Sequence, residues 1–221
     1  MGKLVKIVTS LHESSKRDYL KRMVDDKVNC MKIAKQYGKD YWDGDRRYGY
    51  GGYKYMPGRW KPVAEQMIDQ YNLQGGDKVL DIGCGKGFLL YEMKLLIPDL
   101  EVSGIDISKY AIENCKQELS DSLCVGNANN LPFEDNCFDY VFSINTFHNL
   151  HCFDLELALV EMNRVSKKDQ YICIESYRNE IEKANLLYWQ VTCEAFCTPD
   201  EWEWWFKRLD YNGDYSFIYF E

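Results

Sequence analysis

The chain of 221 residues has no apolar run near the twenty residues that a membrane helix needs, so no membrane span is expected. It also has no surplus of basic charge. Its 35 acidic side chains outnumber 27 basic ones, giving a net charge of −8 and a pI of about 5.0. Proteins that bind duplex DNA carry a basic footprint, so nucleic acid is not the expected partner, although a local patch can still hold one anionic group. Nine cysteines are present, yet no Cys-x-x-Cys pair exists for zinc or dithiol chemistry. Cys193 and Cys197 fall four apart on an expected helix without a second pair. No metal is expected, and the thiols read as reduced and mostly buried in a cytoplasmic protein. The N-terminal stretch Met1 to Val8 is too short and too charged for a secretory signal. Lys6 stands where a myristoylation pattern wants Ser or Thr. There is no internal repeat and no low-complexity linker. The size fits one α/β domain with a small appendage.

What is there centres on Val79-Leu80-Asp81-Ile82-Gly83-Cys84-Gly85-Lys86-Gly87-Phe88-Leu89-Leu90. It reads as a short apolar strand, a tight glycine turn and the start of a helix. Glycines tolerate positive φ and let backbone approach a ligand closely, and the helix start offers free N–H groups. A nucleotide-like ligand fits such a place. The dinucleotide pattern G-x-G-x-x-G is not met, because Phe88 holds the third position. The phosphate loop G-x-x-x-x-G-K-[ST] is absent as well. Glu101 to Ile107 reads as a second strand, and Asp106 lies about twenty residues beyond the glycines, where an acid accepts both ribose hydroxyls of an adenosine cofactor. Ser108 is placed to cap a helix running to Leu119.

The pattern Asp81-x-Gly83-x-Gly85-x-Gly87 resembles motif I of the class I S-adenosylmethionine (SAM) dependent methyltransferases. Leu131-Pro132-Phe133 through Phe138-Asp139-Tyr140-Val141 is similar to that family's passage into its fourth strand. The resemblance covers Lys78 to about Glu175. It implies a Rossmann-like, doubly wound α/β fold: a mostly parallel sheet of six to seven strands, helices on both faces and an N-terminal helical cap. It implies SAM as cofactor, held by Asp81, Gly83, Cys84, Gly85, Gly87, Asp106, Ile107, Asn127, Ala128 and Asn145. Where the family commonly has Gly-Asp-Ala, this chain has Gly126-Asn127-Ala128, so an uncharged Asn would meet the adenine amino group. The absence of an Asn/Asp-Pro-Pro-aromatic motif after strand four argues against methylation of adenine or glutamine amino groups.

The flanks suggest the acceptor side. Residues 11–40 read as helical, either packed on one face or capping the site. Residues 40–55 form a loop of tyrosines and glycines whose rings need a surface to cover. Residues 1–60 are therefore expected as cap and lid, and 61–221 as the core. Tyr50 in the loop and His148 after strand four are the candidate catalytic residues, His148 because imidazole titrates near neutrality. Arg46, Arg47, Tyr48, Tyr53, Glu175 and Arg178 are the candidate substrate-binding residues. The three arginines suggest a small acceptor carrying negative charge. Residues 180–197 read as one inserted helix, serving as substrate wall, homodimer contact or core. Thr198-Pro199 marks the start of the next helix, and only one strand follows it. The stretches YWDGDRRYGYGGYKY, NLLYWQ and EWEWWF are similar to small methyltransferases of bacterial surface-polysaccharide biosynthesis. That likeness implies O-methylation of a sugar, or of a phosphorylated or phosphoramidate precursor of a capsule. A catalytically silent SAM-binding partner subunit and a small-amine N-methyltransferase are the alternatives.

Overall fold

The computed structural model describes residues 2–8 and 17–221. Six parallel strands form one sheet in the order β3-β2-β1-β4-β5-β6: β1 Lys78–Ile82, β2 Glu101–Asp106, β3 Leu123–Val125, β4 Phe138–Ile144, β5 Ser166–Glu175 and β6 Asp214–Ile218. The described helices are α1 Tyr19–Val24, α2 Lys27–Ala34, α3 Lys39–Asp43, α4 Lys61–Tyr71, α5 Phe88–Leu96, α6 Lys109–Glu113, α7 Cys152–Val165, α8 Glu180–Trp189 and α9 Pro199–Arg208.

Side chains alternate across a strand, and in a sheet buried on both faces both sets are apolar. Val79, Val102, Tyr140, Phe142, Tyr171 and Cys173 meet α4 and α5 through Val63, Met67, Leu90 and Met93. Leu80, Ile82, Ile105, Val141, Ile172 and Ile174 meet α7 and α9 through Leu155, Leu159, Trp202 and Phe206. The doubly wound fold follows from this pattern. Strand order reverses between β1 and β4, and such switch points open a crevice at the carboxyl ends of the strands.

Several local expectations change in detail. The helical segment before the core is divided: Asp26 adopts φ 42° between α1 and α2, and residues 11–16 of the expected helix lie outside the described residues. Residues 2–8 belong to the core rather than to a cap, for Leu4 bridges Tyr215 of β6 and Ile7 and Val8 are buried. The helix after Ser108 stops at Glu113, where the chain turns so that the Lys116 N–H can reach the Lys86 carbonyl at 3.2 Å. The inserted helix ends at Trp189, so Cys193 and Cys197 lie on irregular chain. The start of α9 forms as expected: Thr198 and Glu201 make a reciprocal capping box, with Pro199 at the first position.

Candidate active site

The crevice holds about 940 Å3 of empty space, part of it continuous with solvent. Its floor is the carboxyl edge of β1, β2, β3 and β4, with Gly83, Asp106, Ile107, Asn127, Ala128 and Asn145 in the lining. Asp106 is the anchor of this floor. One carboxylate oxygen accepts the Gly85 N–H at 2.7 Å and the other the Ser108 N–H at 2.8 Å. Burial pushes this carboxyl up, while those two N–H donors oppose the shift. Each oxygen keeps a further lone pair for a ribose hydroxyl. Ile107 beside it is 55% exposed, an apolar platform at the crevice edge.

The glycine turn is shaped by close approach. Gly83 has φ +86°, and a Cβ there would lie 2.0 Å from Thr146 Oγ1. Gly85 has φ +55°, and its Cβ would meet the Trp42 ring at 2.9 Å. Asp81, Cys84, Gly85 and Gly87 stand behind the lining rather than in it. Cys84 is a buried thiol pushed well up by burial, and Gly87 precedes α5. Asp81 is pushed well up by burial, with Asp106 adding to the effect, and its Oδ1 has no hydrogen-bond partner. Asn145 Oδ1 and Asn149 Oδ1 are likewise buried without partners. Buried acceptors without partners are costly unless a ligand supplies donors. SAM carries an ammonium group, a sulfonium charge and hydroxyls, so its chemistry fits this donor-poor floor.

Above the floor lies an aromatic roof. Tyr37, Tyr41, Trp42 and Tyr50 line the crevice. Trp42 stacks on Tyr50 with ring centroids 5.1 Å apart and planes 6° from parallel. The Trp42 indole donates to Ser108 Oγ at 2.8 Å, and Ser108 Oγ donates to the Tyr37 carbonyl at 2.5 Å. These bonds hold Tyr37 at φ 49°, a left-handed conformation that costs a bulky residue about 1–3 kcal/mol. Just beyond Trp42, Asp43 takes Lys86 Nζ from the glycine turn at 2.7 and 3.0 Å. The return of the loop is fixed by Glu92, which accepts the Tyr55 hydroxyl at 2.8 Å and the Gly58 N–H at 2.9 Å.

The expected acceptor residues are not brought together here. None of Arg46, Arg47, Tyr48, Tyr53, Glu175 and Arg178 lines the crevice. Arg46 lies over the Trp189 ring and donates to the Gly49 carbonyl. Arg47 pairs with Asp25 at 2.7 Å and covers the Tyr48 ring. Tyr53 stacks on Phe88. Arg178 pairs with Glu182 and Glu221, not with Glu175. Glu175 is 3% exposed, accepts from the Gln190 amide and is pushed up to about 8 by burial, with Gln190 and Arg17 opposing.

His148 also departs from expectation. It is 2% exposed and turned inward. Its Nδ1 accepts the Glu175 N–H at 3.3 Å, and its Nε2 lies 3.4 Å from Glu175 Oε2. The ring packs against the end of β5 and does not line the crevice, whereas His151 and Tyr50 do. Sequence reading passed over Tyr37, Asp43, Lys86, Ser108 as a roof tether, Thr146 and Asp154. Only Lys86 carried a local signal, its place between two glycines. Among the described residues no cluster of His, Cys, Asp and Glu is placed to hold a metal ion, and no helix is long and apolar enough to cross a membrane.

Comparison with known proteins agrees with this fold. The crystal structure of YcgJ from Bacillus subtilis superposes with a TM-score of 0.55 at 23% identity, covering 66% of each chain. A demethylmenaquinone methyltransferase of Symbiobacterium thermophilum is 31% identical over 145 residues, which is 60% of this chain and 57% of that protein. One from Staphylococcus aureus is 31% identical over 158 residues, 65% of each. The chain thus spans only part of the length of these relatives. A family model described as a methyltransferase domain matches residues 73–210, more than half of the chain. The chain belongs to this family of class I methyltransferases, enzymes that use S-adenosyl-L-methionine as methyl donor.

Proposed function

We propose that this protein transfers the methyl group to a small acceptor that carries no fixed negative charge and is flat enough to lie under the aromatic roof. One observation carries the reading. The crevice lining contains four aromatic residues and two carboxylates, Asp106 and Asp154, and neither lysine nor arginine. An anionic sugar phosphate, the acceptor suggested by Arg46, Arg47 and Arg178, would find no lysine or arginine in that lining, only the imidazole of His151 at its edge. Neutral sugars of surface polysaccharides stay within the class, and O-methylation remains the favoured transfer, with a small amine as the alternative.

Bound SAM supplies the activated methyl group. The chain's own residues hold and align. Asp106 would take the ribose, Asn145 would offer its side-chain oxygen to N–H groups, and the rings of Trp42 and Tyr50 exclude water and orient the acceptor. The Tyr50 phenol is protonated at neutral pH and serves as a hydrogen-bond donor. His148, facing Glu175, positions the end of β5 rather than taking the acceptor's proton.

A flat aromatic acceptor is a second reading. It is favoured by the four rings of the roof and by the likeness to proteins named demethylmenaquinone methyltransferase. Nine free cysteines suit a reducing, cytoplasmic setting. The test is an acceptor panel with SAM, read by S-adenosylhomocysteine formation. Turnover of neutral or basic planar acceptors above phosphorylated ones supports the proposal. A clear preference for phosphorylated sugars overturns it.

A further inference from the structure

A buried ion pair ties the roof to the glycine turn, and its two side chains lie outside the crevice lining. Lys86 is 4% exposed although it is a lysine. Its ammonium reaches Asp43 Oδ2 at 2.7 Å, Asp43 Oδ1 at 3.0 Å and the Tyr53 carbonyl at 2.9 Å. Three donors thus meet three acceptors, two at the end of α3 and one on the loop that follows it, the segment that bears the roof. Asp43 in turn accepts the Tyr110 hydroxyl from α6 at 2.8 Å and the Tyr53 N–H at 3.0 Å. Burial pushes the Asp43 carboxyl up, but hydrogen bonds from Lys86 and Tyr110 outweigh it and hold the group below its ordinary value.

The neighbouring contacts give this pair its consequence. Trp42, next to Asp43, rests on Gly85 and lines the crevice, and Tyr50 stacks on Trp42. Gly85 donates its N–H to Asp106. The roof therefore covers the very turn whose backbone shapes the cofactor floor. A lysine between two glycines of a nucleotide-binding turn would suit a phosphate ligand, yet here the ammonium is turned away from the crevice and lies outside its lining.

We propose that Asp43 and Lys86 are positioning residues that gate cofactor exchange: the ion pair latches the aromatic roof onto the glycine turn, and the nucleoside cofactor enters and leaves only when the latch parts. Removing one partner of a buried pair leaves an uncompensated charge and strongly disfavours the closed arrangement. Lid opening of this kind sets exchange rates without contributing to the chemistry. Opening is required in both directions, so weakening the latch speeds entry and departure together. A residue that merely contacts the ligand would change departure alone.

The test is stopped-flow or surface-based kinetics of S-adenosylhomocysteine on the full chain, comparing wild type with Asp43→Asn, Lys86→Met and Tyr110→Phe. Asp43→Asn and Lys86→Met are expected to raise association and dissociation rates together by about tenfold or more, with the dissociation constant changed by less than about threefold. Tyr110→Phe removes one hydrogen bond to Asp43 and is expected to move both rates in the same direction by about two- to fivefold. It is the variant that decides the matter if the charge substitutions fail to fold. Unchanged rates in the folded variants, or faster dissociation with unchanged association, would overturn the gate and leave the pair a structural tie.

Discussion

Replacing Gly83 by alanine tests how tightly the glycine turn is built. The residue sits at φ +86°, where an L side chain is strained. The new Cβ would also lie 2.6 Å from Thr146 Cγ2 and 2.7 Å from Thr146 Cβ. Thr146 begins the turn after β4 and lines the crevice, so it cannot retreat without altering the floor. The φ penalty is about 1 kcal/mol and overpacking at a rigid contact adds about 1–3 kcal/mol. The sum, roughly 2–4 kcal/mol, should appear as a lower urea midpoint at unchanged slope. S-adenosylhomocysteine affinity should fall at the same time, since the displaced turn carries the floor. Gly83→Ala combined with Thr146→Gly removes the overlap but not the φ strain. The double variant should therefore be more stable than the sum of the single losses by about 1 kcal/mol or more. A Gly83→Ala protein with wild-type midpoint and affinity would refute the argument.

Other substitutions follow from the same structure. Glu175 is raised from about 4.5 to about 8, so its contribution to stability is present below pH 4.5 and is lost as pH rises through 8. The melting temperature of wild type relative to Glu175→Gln should accordingly decline between those limits, and a flat difference would contradict the burial assigned to it. Arg178→Ala should leave S-adenosylhomocysteine affinity within about twofold, because its ion pairs with Glu182 and Glu221 lie outside the crevice. Ser108→Ala removes the nearer of two acceptors of the Trp42 indole, the other being the Tyr37 carbonyl, and the donor to Tyr37; a cofactor affinity lower by about fivefold or more is expected by titration calorimetry.

What the sequence made legible was local. The strand-turn-helix around Gly83, the acid at Asp106 and the alternation that builds the sheet are all encoded within short spans. The family resemblance rested on the same spans. The roof was visible only as an unexplained run of aromatics, because its contacts are distant in sequence. Trp42 reaches Ser108 across 66 positions and Asp43 reaches Lys86 across 43. Nothing in local periodicity specifies such pairs. The arginines lie outside the crevice for a related reason: a basic residue in a loop signals charge but not the acid it will meet, and Asp25, Glu182 and Glu221 pair with two of them. The place of His148 after β4 fixes its depth but not the direction of its ring, which faces Glu175.

The most direct test of the account is calorimetric titration of the protein with S-adenosylhomocysteine, beside NAD and ATP, repeated with Asp106→Ala. Binding of S-adenosylhomocysteine alone is expected, abolished by loss of the carboxylate that joins Gly85 and Ser108. Equal or tighter binding of NAD or ATP, or S-adenosylhomocysteine binding untouched by Asp106→Ala, would contradict it.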